Sequence, residues 1–313
     1  MSKKYIFGPV PSRRLGYSLG IDLVERKFCS YDCIYCEVGK TTNKIIERID
    51  FHNDKEIILQ VKDFLTTYTG KIDCITFTGS GEPTLNIKMG EILNEIRRLT
   101  DLPLTLLTNG SLFFREDVRI ESMGFDIVVP SLDSVCEESF FKVNKPHKDL
   151  QLSLIIEGLI KFSKEYKGKL FLEILLVKGI NDSDSDLISL RKIIERMNVD
   201  KVQINTVIRP PSYKEAKPIE EEDKERIKNL LGDFVQIDLA FSAKKDNRSN
   251  IGKEEVKELL KRRPCTFEQI SNSLGIDGEN LKKILEDLEK ELDDGLKIDK
   301  FDGEFYYKVL ENE

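Results

Sequence analysis

Three cysteines fall within eight residues, Cys29-Ser30-Tyr31-Asp32-Cys33-Ile34-Tyr35-Cys36, and none of the chain's six lies before them. At C-x3-C-x2-C spacing, three thiolates can wrap one face of a cubane [4Fe–4S] cluster and bind three of its four irons. The fourth iron is then open to an exogenous ligand, which a reacting centre needs and an electron relay does not. Two plainer arrangements use the same thiols. A structural zinc site would recruit His52, although such sites usually draw on two separated ligand pairs and the chain has only two histidines. A ferredoxin-type cluster would need a fourth thiolate from Cys74, Cys136 or Cys265, each isolated in the sequence.

The residues that could position such a centre sit at strand ends. The thiols follow an apolar, β-rich run at 18–24, and similar runs recur at 74–78, 104–108, 126–131, 170–177, 201–207 and 234–240. Between them, apolar residues recur at three- and four-residue steps in segments 54–68, 87–99, 116–123, 150–166, 184–197 and 220–231, the period of a helix. Strand followed by helix, about six times over, predicts a parallel sheet with right-handed crossovers. A partial (β/α)6 barrel and an open doubly wound sheet both fit, and either places functional groups where strands end. Turn-forming Gly79-Ser80-Gly81-Glu82 ends the second run, Asn109 the third, and Ser131 and Asp133 the fourth. Strand-turn and helix-cap chemistry alone would also favour these residue types.

Past residue 241 the pattern changes. Residues 242–251 are polar and aperiodic and are read as a linker between a domain at 1–241 and a small one at 252–313. The small domain shows three helical segments and a β-like pair, a winged-helix-like module. Residues 253–313 hold 11 Lys and Arg against 17 Asp and Glu. The third helix would turn Glu279, Glu286, Asp287 and Glu289 toward phosphates, so DNA is disfavoured as its partner. The whole chain carries a net charge of −7. No apolar run reaches signal-peptide length at the N-terminus or the roughly 18 residues of a membrane span, so a cytoplasmic setting is expected. Clustered cysteines in a reducing compartment point to metal or redox chemistry.

With its motifs in this order, the chain resembles the radical S-adenosylmethionine (radical SAM) enzymes across roughly residues 5–240. Tyr35 stands at the aromatic position of their C-x3-C-x-aromatic-C signature. Thr78-Gly79-Ser80-Gly81-Glu82-Pro83 stands where they have a GGE motif, with Ser80 in place of its first glycine. FGPVPSRRLGYSLGID, LTNGSL, VVPSLDS, LVKGIND and NTVIRPP are similar to the wyosine-synthesis-like branch. The resemblance implies a partial (β/α)6 barrel of the radical SAM type. It implies a [4Fe–4S] cluster on Cys29, Cys33 and Cys36, with S-adenosylmethionine (SAM) as the missing ligand. Gly79, Ser80, Gly81 and Glu82 would meet the methionine part. Asn109, Ser131 and Asp133 would serve ribose and carboxylate, and Tyr35 with the backbone near Val207 would frame the adenine.

Reductive cleavage of SAM to a 5′-deoxyadenosyl radical, followed by hydrogen abstraction from an unidentified substrate, is the expected activity. Reduced ferredoxin or flavodoxin is the expected electron donor. The substrate is left open among small molecules, proteins and RNA. Alternatives are a tRNA-modifying enzyme, an activase for a glycyl-radical enzyme and, in a different class, an iron–sulfur redox-sensing regulator. Further candidates are Glu173, Lys178 and Asn205 at later strand ends, Arg13, Arg14 and Arg209 for an anionic substrate, His147, and Cys136 as a catalytic thiol.

Overall fold

The computed structural model of the chain describes residues 3–12, 14–232, 234–237, 252–292 and 295–310. Strands β1 (Ile6–Ser12) and β2 (Gly16–Asp22) pair antiparallel. A short parallel pair, β3 (Phe28–Cys29) and β4 (Asn43–Lys44), carries the first cysteine. There follow α1 (Asp54–Thr67), β5 (Cys74–Thr78), a 3-10 turn (Pro83–Leu85), α2 (Met89–Leu99), β6 (Leu104–Thr108), α3 (Glu116–Ser122) and β7 (Ile127–Pro130). Then come α4 (Glu137–Asn144), α5 (Leu152–Glu165), β8 (Lys169–Leu176), α6 (Asp184–Ile194), β9 (Lys201–Thr206), α7 (Asp223–Leu231) and β10 (Val235–Ile237).

From β2 through β5, β6, β7, β8 and β9 to β10, each strand lies parallel beside the next, and β1 adds an antiparallel edge. Adjacency in chain order decides for a barrel wall over a doubly wound sheet, whose order would reverse at a switch point. Among the described residues β1 and β10 do not pair, so the barrel is partial. Ile75, Phe77, Leu104, Leu106 and Val128 are fully buried, as parallel strands covered on both faces require. In β8 the pattern alternates. Leu170, Leu172, Ile174 and Leu176 are buried, while Phe171, Glu173 and Leu175 on the other face are only partly so.

The seven parallel strands answer to the seven apolar runs of the sequence, one more than the six of a (β/α)6 barrel. The segment that carries Pro9 forms β1, which no apolar run announces, and an edge strand tolerates proline because it has an unpaired side. Helix α4 was not anticipated, although its Glu137-Glu138 first turn and buried Phe140 and Val143 carry a short helical signal.

The C-terminal residues form α8 (Lys253–Arg262), β11 (Cys265–Thr266), α9 (Phe267–Leu274), α10 (Gly278–Glu291), β12 (Leu296–Phe301) and β13 (Glu304–Val309). The strands make a three-stranded antiparallel sheet in the order β11-β13-β12. Thr266 Oγ1 accepts from Gln269 N at 3.1 Å and begins α9, and Asp277 Oδ1 accepts from Asn280 N at 3.0 Å and begins α10. Val256, Leu260, Ile270, Leu281 and Leu288 build a core separate from that of the barrel. The expected linker, 242–251, lies within 238–251, outside the described residues. The module rests on the barrel. Tyr306 donates its hydroxyl to Ile208 O at 2.9 Å, and Phe301 packs against a small apolar group that includes Ile34 and Val207.

Candidate functional site

The three thiols sit on a loop pinned from both sides. Asp32 N and Ile34 N donate to Asn144 O and Val143 O of α4, at 3.0 and 2.9 Å, and Tyr213 N donates to Ile34 O at 3.0 Å. The Asp32 carboxylate accepts from Thr41 N at 2.8 Å and from the Tyr213 hydroxyl at 2.6 Å. All three cysteines are free thiols. Four donors face their sulfurs. Tyr31 N and Asn109 Nδ2 lie 3.5 Å from Cys29 Sγ, Asn144 Nδ2 lies 3.4 Å from Cys33 Sγ, and Lys27 Nζ lies 3.8 Å from Cys36 Sγ. Burial raises the Cys29 thiol to about 12, with the Glu82 charge adding to it. Burial also lifts Cys33 well above the usual thiol range, with Asp133 contributing.

The loop after β5 lies against the cysteine loop. Lys27 N donates to Ser80 O and Glu82 N to Phe28 O, each at 2.9 Å. Gly81 permits this approach, since a Cβ there would stand 1.9 Å from Phe28 O. Ser80 turns away from the thiols and gives its N–H and hydroxyl to Asp22, at 3.0 and 2.6 Å. Glu82 is buried and its carboxylate is fully engaged. It accepts from Thr84 N and Oγ1, Thr108 Oγ1 and Asn109 N at 2.6–3.0 Å, so it ties the ends of β5 and β6 together. Desolvation nevertheless raises its carboxyl above the ordinary range, because those hydrogen bonds offset burial only in part.

A second buried carboxylate organises the far side. Asp133 accepts from the Tyr35 hydroxyl at 2.5 Å, Asn144 Nδ2 at 2.6 Å and Leu175 N at 2.8 Å. Its carbonyl receives Asn181 Nδ2 at 2.8 Å. Burial pushes this carboxyl up to about 6 against the opposing pull of its donors. Of the expected site residues, the structure thus brings together Cys29, Cys33, Cys36, Tyr35, Gly79, Ser80, Gly81, Glu82, Asn109 and Asp133. Ser131 bridges to Glu173 at the start of the next wall, its N–H donating to Thr108 O at 3.0 Å.

Most of the other expected residues have protein partners. Cys136 is the N-cap residue of α4, and its thiol is raised chiefly by burial, with Asp186 of α6 adding to it and Ser189 opposing. Arg209 is buried against Glu37 at 2.7 Å, so its charge serves a structural ion pair. Arg14 pairs with Glu173 at 2.7 Å, and Glu173 also takes Asn205 Nδ2, while Lys178 pairs with Glu220 at 2.6 Å. Arg13 lies outside the described residues. His147 donates its backbone N–H to Ser30 O at 2.8 Å and helps hold the cysteine loop from outside. The His52 side chain is 84% exposed beside Asp50. Among the described residues no group of three or more His, Cys, Asp or Glu is close enough to hold a single metal ion.

A family model of the radical SAM superfamily matches residues 27–191, more than half of the chain and the stretch that holds both loops. The chain belongs to the radical SAM superfamily. Its cofactors are accordingly a [4Fe–4S] cluster and S-adenosylmethionine, and the free thiols with their ring of N–H donors fit that assignment. A UPF0026 protein of Methanocaldococcus jannaschii is 39% identical over 88% of the chain and 92% of its own length. GTPase Obg of Brachyspira hyodysenteriae is 35% identical over 92% of the chain, yet the chain spans only 43% of that protein. Among solved structures, TYW1 with a lysine–pyruvate adduct bound shares the fold at 19% identity and a TM-score of 0.52, over 68% of this chain and 72% of that one. As a radical SAM protein the chain is an enzyme, and none of its described helices is long and apolar enough to cross a membrane.

Sequence reasoning missed Asn144, Lys27 and Asp22. A signal was available only for Asp22, the one acidic residue within the first predicted strand, 18–24. Asn144 and Lys27 reach the sulfurs only because α4 and a positive-φ turn at Lys27 aim them.

Proposed function

We propose that this radical SAM enzyme binds its cluster through Cys29, Cys33 and Cys36 and abstracts hydrogen from a substrate held at the barrel mouth. When bound, the cluster and SAM supply reductive cleavage to a 5′-deoxyadenosyl radical. The observation that carries this reading is the convergence of four N–H donors on the three cysteine sulfurs, directly beside the backbone of residues 79–82. Those donors stabilise thiolate charge and orient the sulfurs, as outer hydrogen bonds do at metal sites. Gly79, Ser80 and Gly81 present backbone to the methionine part, with Glu82 holding their turn in place. Tyr35, paired with Asp133, lies on the side assigned to the adenine, next to the apolar group that contains Val207. Asn109 and Ser131 remain the candidates for the sugar and carboxylate.

Residues 1–241 act as the catalytic domain, and 252–313, with three helices and a three-stranded sheet, as a winged-helix-like docking element. Glu279, Glu286, Asp287 and Glu289 are all exposed on α10, which supports docking over DNA reading. Reduced ferredoxin or flavodoxin supplies the electron in a cytoplasmic setting. A wyosine-like tRNA-modifying role is kept as a minority reading, since a chain of net charge −7 does not favour nucleic acid, and a glycyl-radical activase is another. Anaerobic reconstitution with iron and sulfide, reduction and SAM addition should yield 5′-deoxyadenosine. A stable cluster whose paramagnetic resonance signal ignores SAM, with no nucleoside formed, would sink the enzyme reading.

A further inference from the structure

Ser80 is where this chain departs from the family's glycine, and its side chain leads out of the barrel. Its N–H and hydroxyl hold the two oxygens of Asp22, the last residue of β2, whose side chain is 12% exposed. The charge on Asp22 is met from the C-terminal module, by Arg262 Nη1 at 3.2 Å. Arg262 closes α8 and is itself only 18% exposed. Its guanidinium also lies 4.0 Å from the centroid of the Phe7 ring. That ring covers Gly20 of β2, where a Cβ would come within 2.1 Å of it. One residue earlier, Lys261 O accepts from Arg26 Nη1 at 3.3 Å. The end of α8 is thereby fastened to the strand that carries Asp22.

We propose that Arg262 is a positioning residue for S-adenosylmethionine, acting through Asp22 and Ser80, so that docking of the C-terminal module and binding of the cosubstrate strengthen each other. The proposal rests on the reading of residues 79–82 as the methionine-binding turn. A largely buried carboxylate that loses its cation is costly and turns toward water. Ser80 then loses its anchor, and the turn must be ordered at the expense of binding. Linkage makes the effect reciprocal: whatever Arg262 contributes to SAM affinity, bound SAM returns to the docking of α8.

The test uses reconstituted full-length protein and measures the SAM dissociation constant by equilibrium dialysis, with iron content and hydrogen exchange followed in parallel. Arg262→Met should weaken SAM by about 5- to 30-fold, within the usual range of such couplings, without loss of iron. Arg262→Lys should recover most of the affinity. In a Ser80→Gly background, which removes the hydroxyl bond to Asp22 and keeps the backbone one, Arg262→Met should cost clearly less affinity than it does in the wild type. SAM should slow exchange in 253–262 of the wild type and fail to do so in Arg262→Met. Unchanged affinity in Arg262→Met, or the same loss with and without Ser80, would overturn the proposal. If Arg262→Met does not fold, Asp22→Asn breaks the same link from the barrel side, and wild-type affinity there would overturn it equally. Wild-type protein that binds no SAM at all would instead refute the assignment of residues 79–82, and the proposal with it.

Discussion

The barrel mouth and the C-terminal module handle charge in opposite ways. At the mouth, Glu82 and Asp133 are buried, each saturated by three or more donors, and each held above the ordinary carboxyl range by desolvation. In the module, Glu291 sits 40% exposed between Lys253 and Lys257, and these ammonium groups pull its carboxyl down to about 2. Buried carboxylates are an expensive way to hold a loop, but they fix backbone N–H groups to within hydrogen-bond tolerance. Exposed pairs hold little and cost little. Precision is therefore concentrated where a cofactor has to be oriented. The module departs from this pattern where it touches the barrel. Arg262 and Tyr306 make directed bonds there, and burial together with Arg26 and Lys27 holds the Lys308 ammonium below its usual range.

Four measurements would break or sharpen this contrast. The largest effect belongs to the thiols. Cys33→Ala should abolish cluster assembly and 5′-deoxyadenosine formation, and a variant that keeps both would remove the mouth from the chemistry. Next, Glu82→Gln sets an amide NH2 among donors that need an acceptor. It should cost about 2–4 kcal/mol in denaturant unfolding; a loss below about 1 kcal/mol would mean the carboxylate does not organise the turn.

The third measurement is a pH profile of the apo-protein. Asp133 is raised from 3.8 to about 6, so the folded chain holds this proton more tightly than the unfolded one. Its effect on stability is absent below the unfolded value and grows as a penalty between about pH 4 and pH 6. The unfolding free energy should fall by at most about 3 kcal/mol across that window and stay level above it, as far as this group is concerned. Asp133→Asn should remove that fall, and parallel profiles for wild type and variant would count against the buried charge. The smallest effect is expected in the module. Lys253→Ala should cost less than about 1 kcal/mol, and less still at high salt. A larger loss would mean that the exposed pairs are worth as much as the buried network.

Much of the site was legible before the fold was seen, and unevenly so. The thiol triplet, the turn at 79–82, Asn109 and Asp133 announce themselves because strand-end residues of these types are local features. Their partners do not. Glu82 and Asp133 bind Thr108, Asn109, Tyr35 and Asn144, partners that only packing reveals, since it decides which buried donors need an acceptor. Arg209, a candidate for an anionic substrate, is held in an ion pair by Glu37, a partner 172 residues away that no local pattern announces.

The sequence by itself determined the strand–helix alternation, the class of centre the cysteines can bind, and the three C-terminal helices with their hairpin, because apolar period and short-range spacing act within one element. Tertiary structure alone decided the chain-order barrel wall with β1 as its edge, and the donors that reach the sulfurs. Asn144 meets Cys33 across 111 residues of chain, and Arg262 meets Asp22 across 240. No local pattern encodes such contacts. The first exists because parallel crossovers bring the strand ends and the loops after them to one rim, and the second because the C-terminal module packs back against the end of β2.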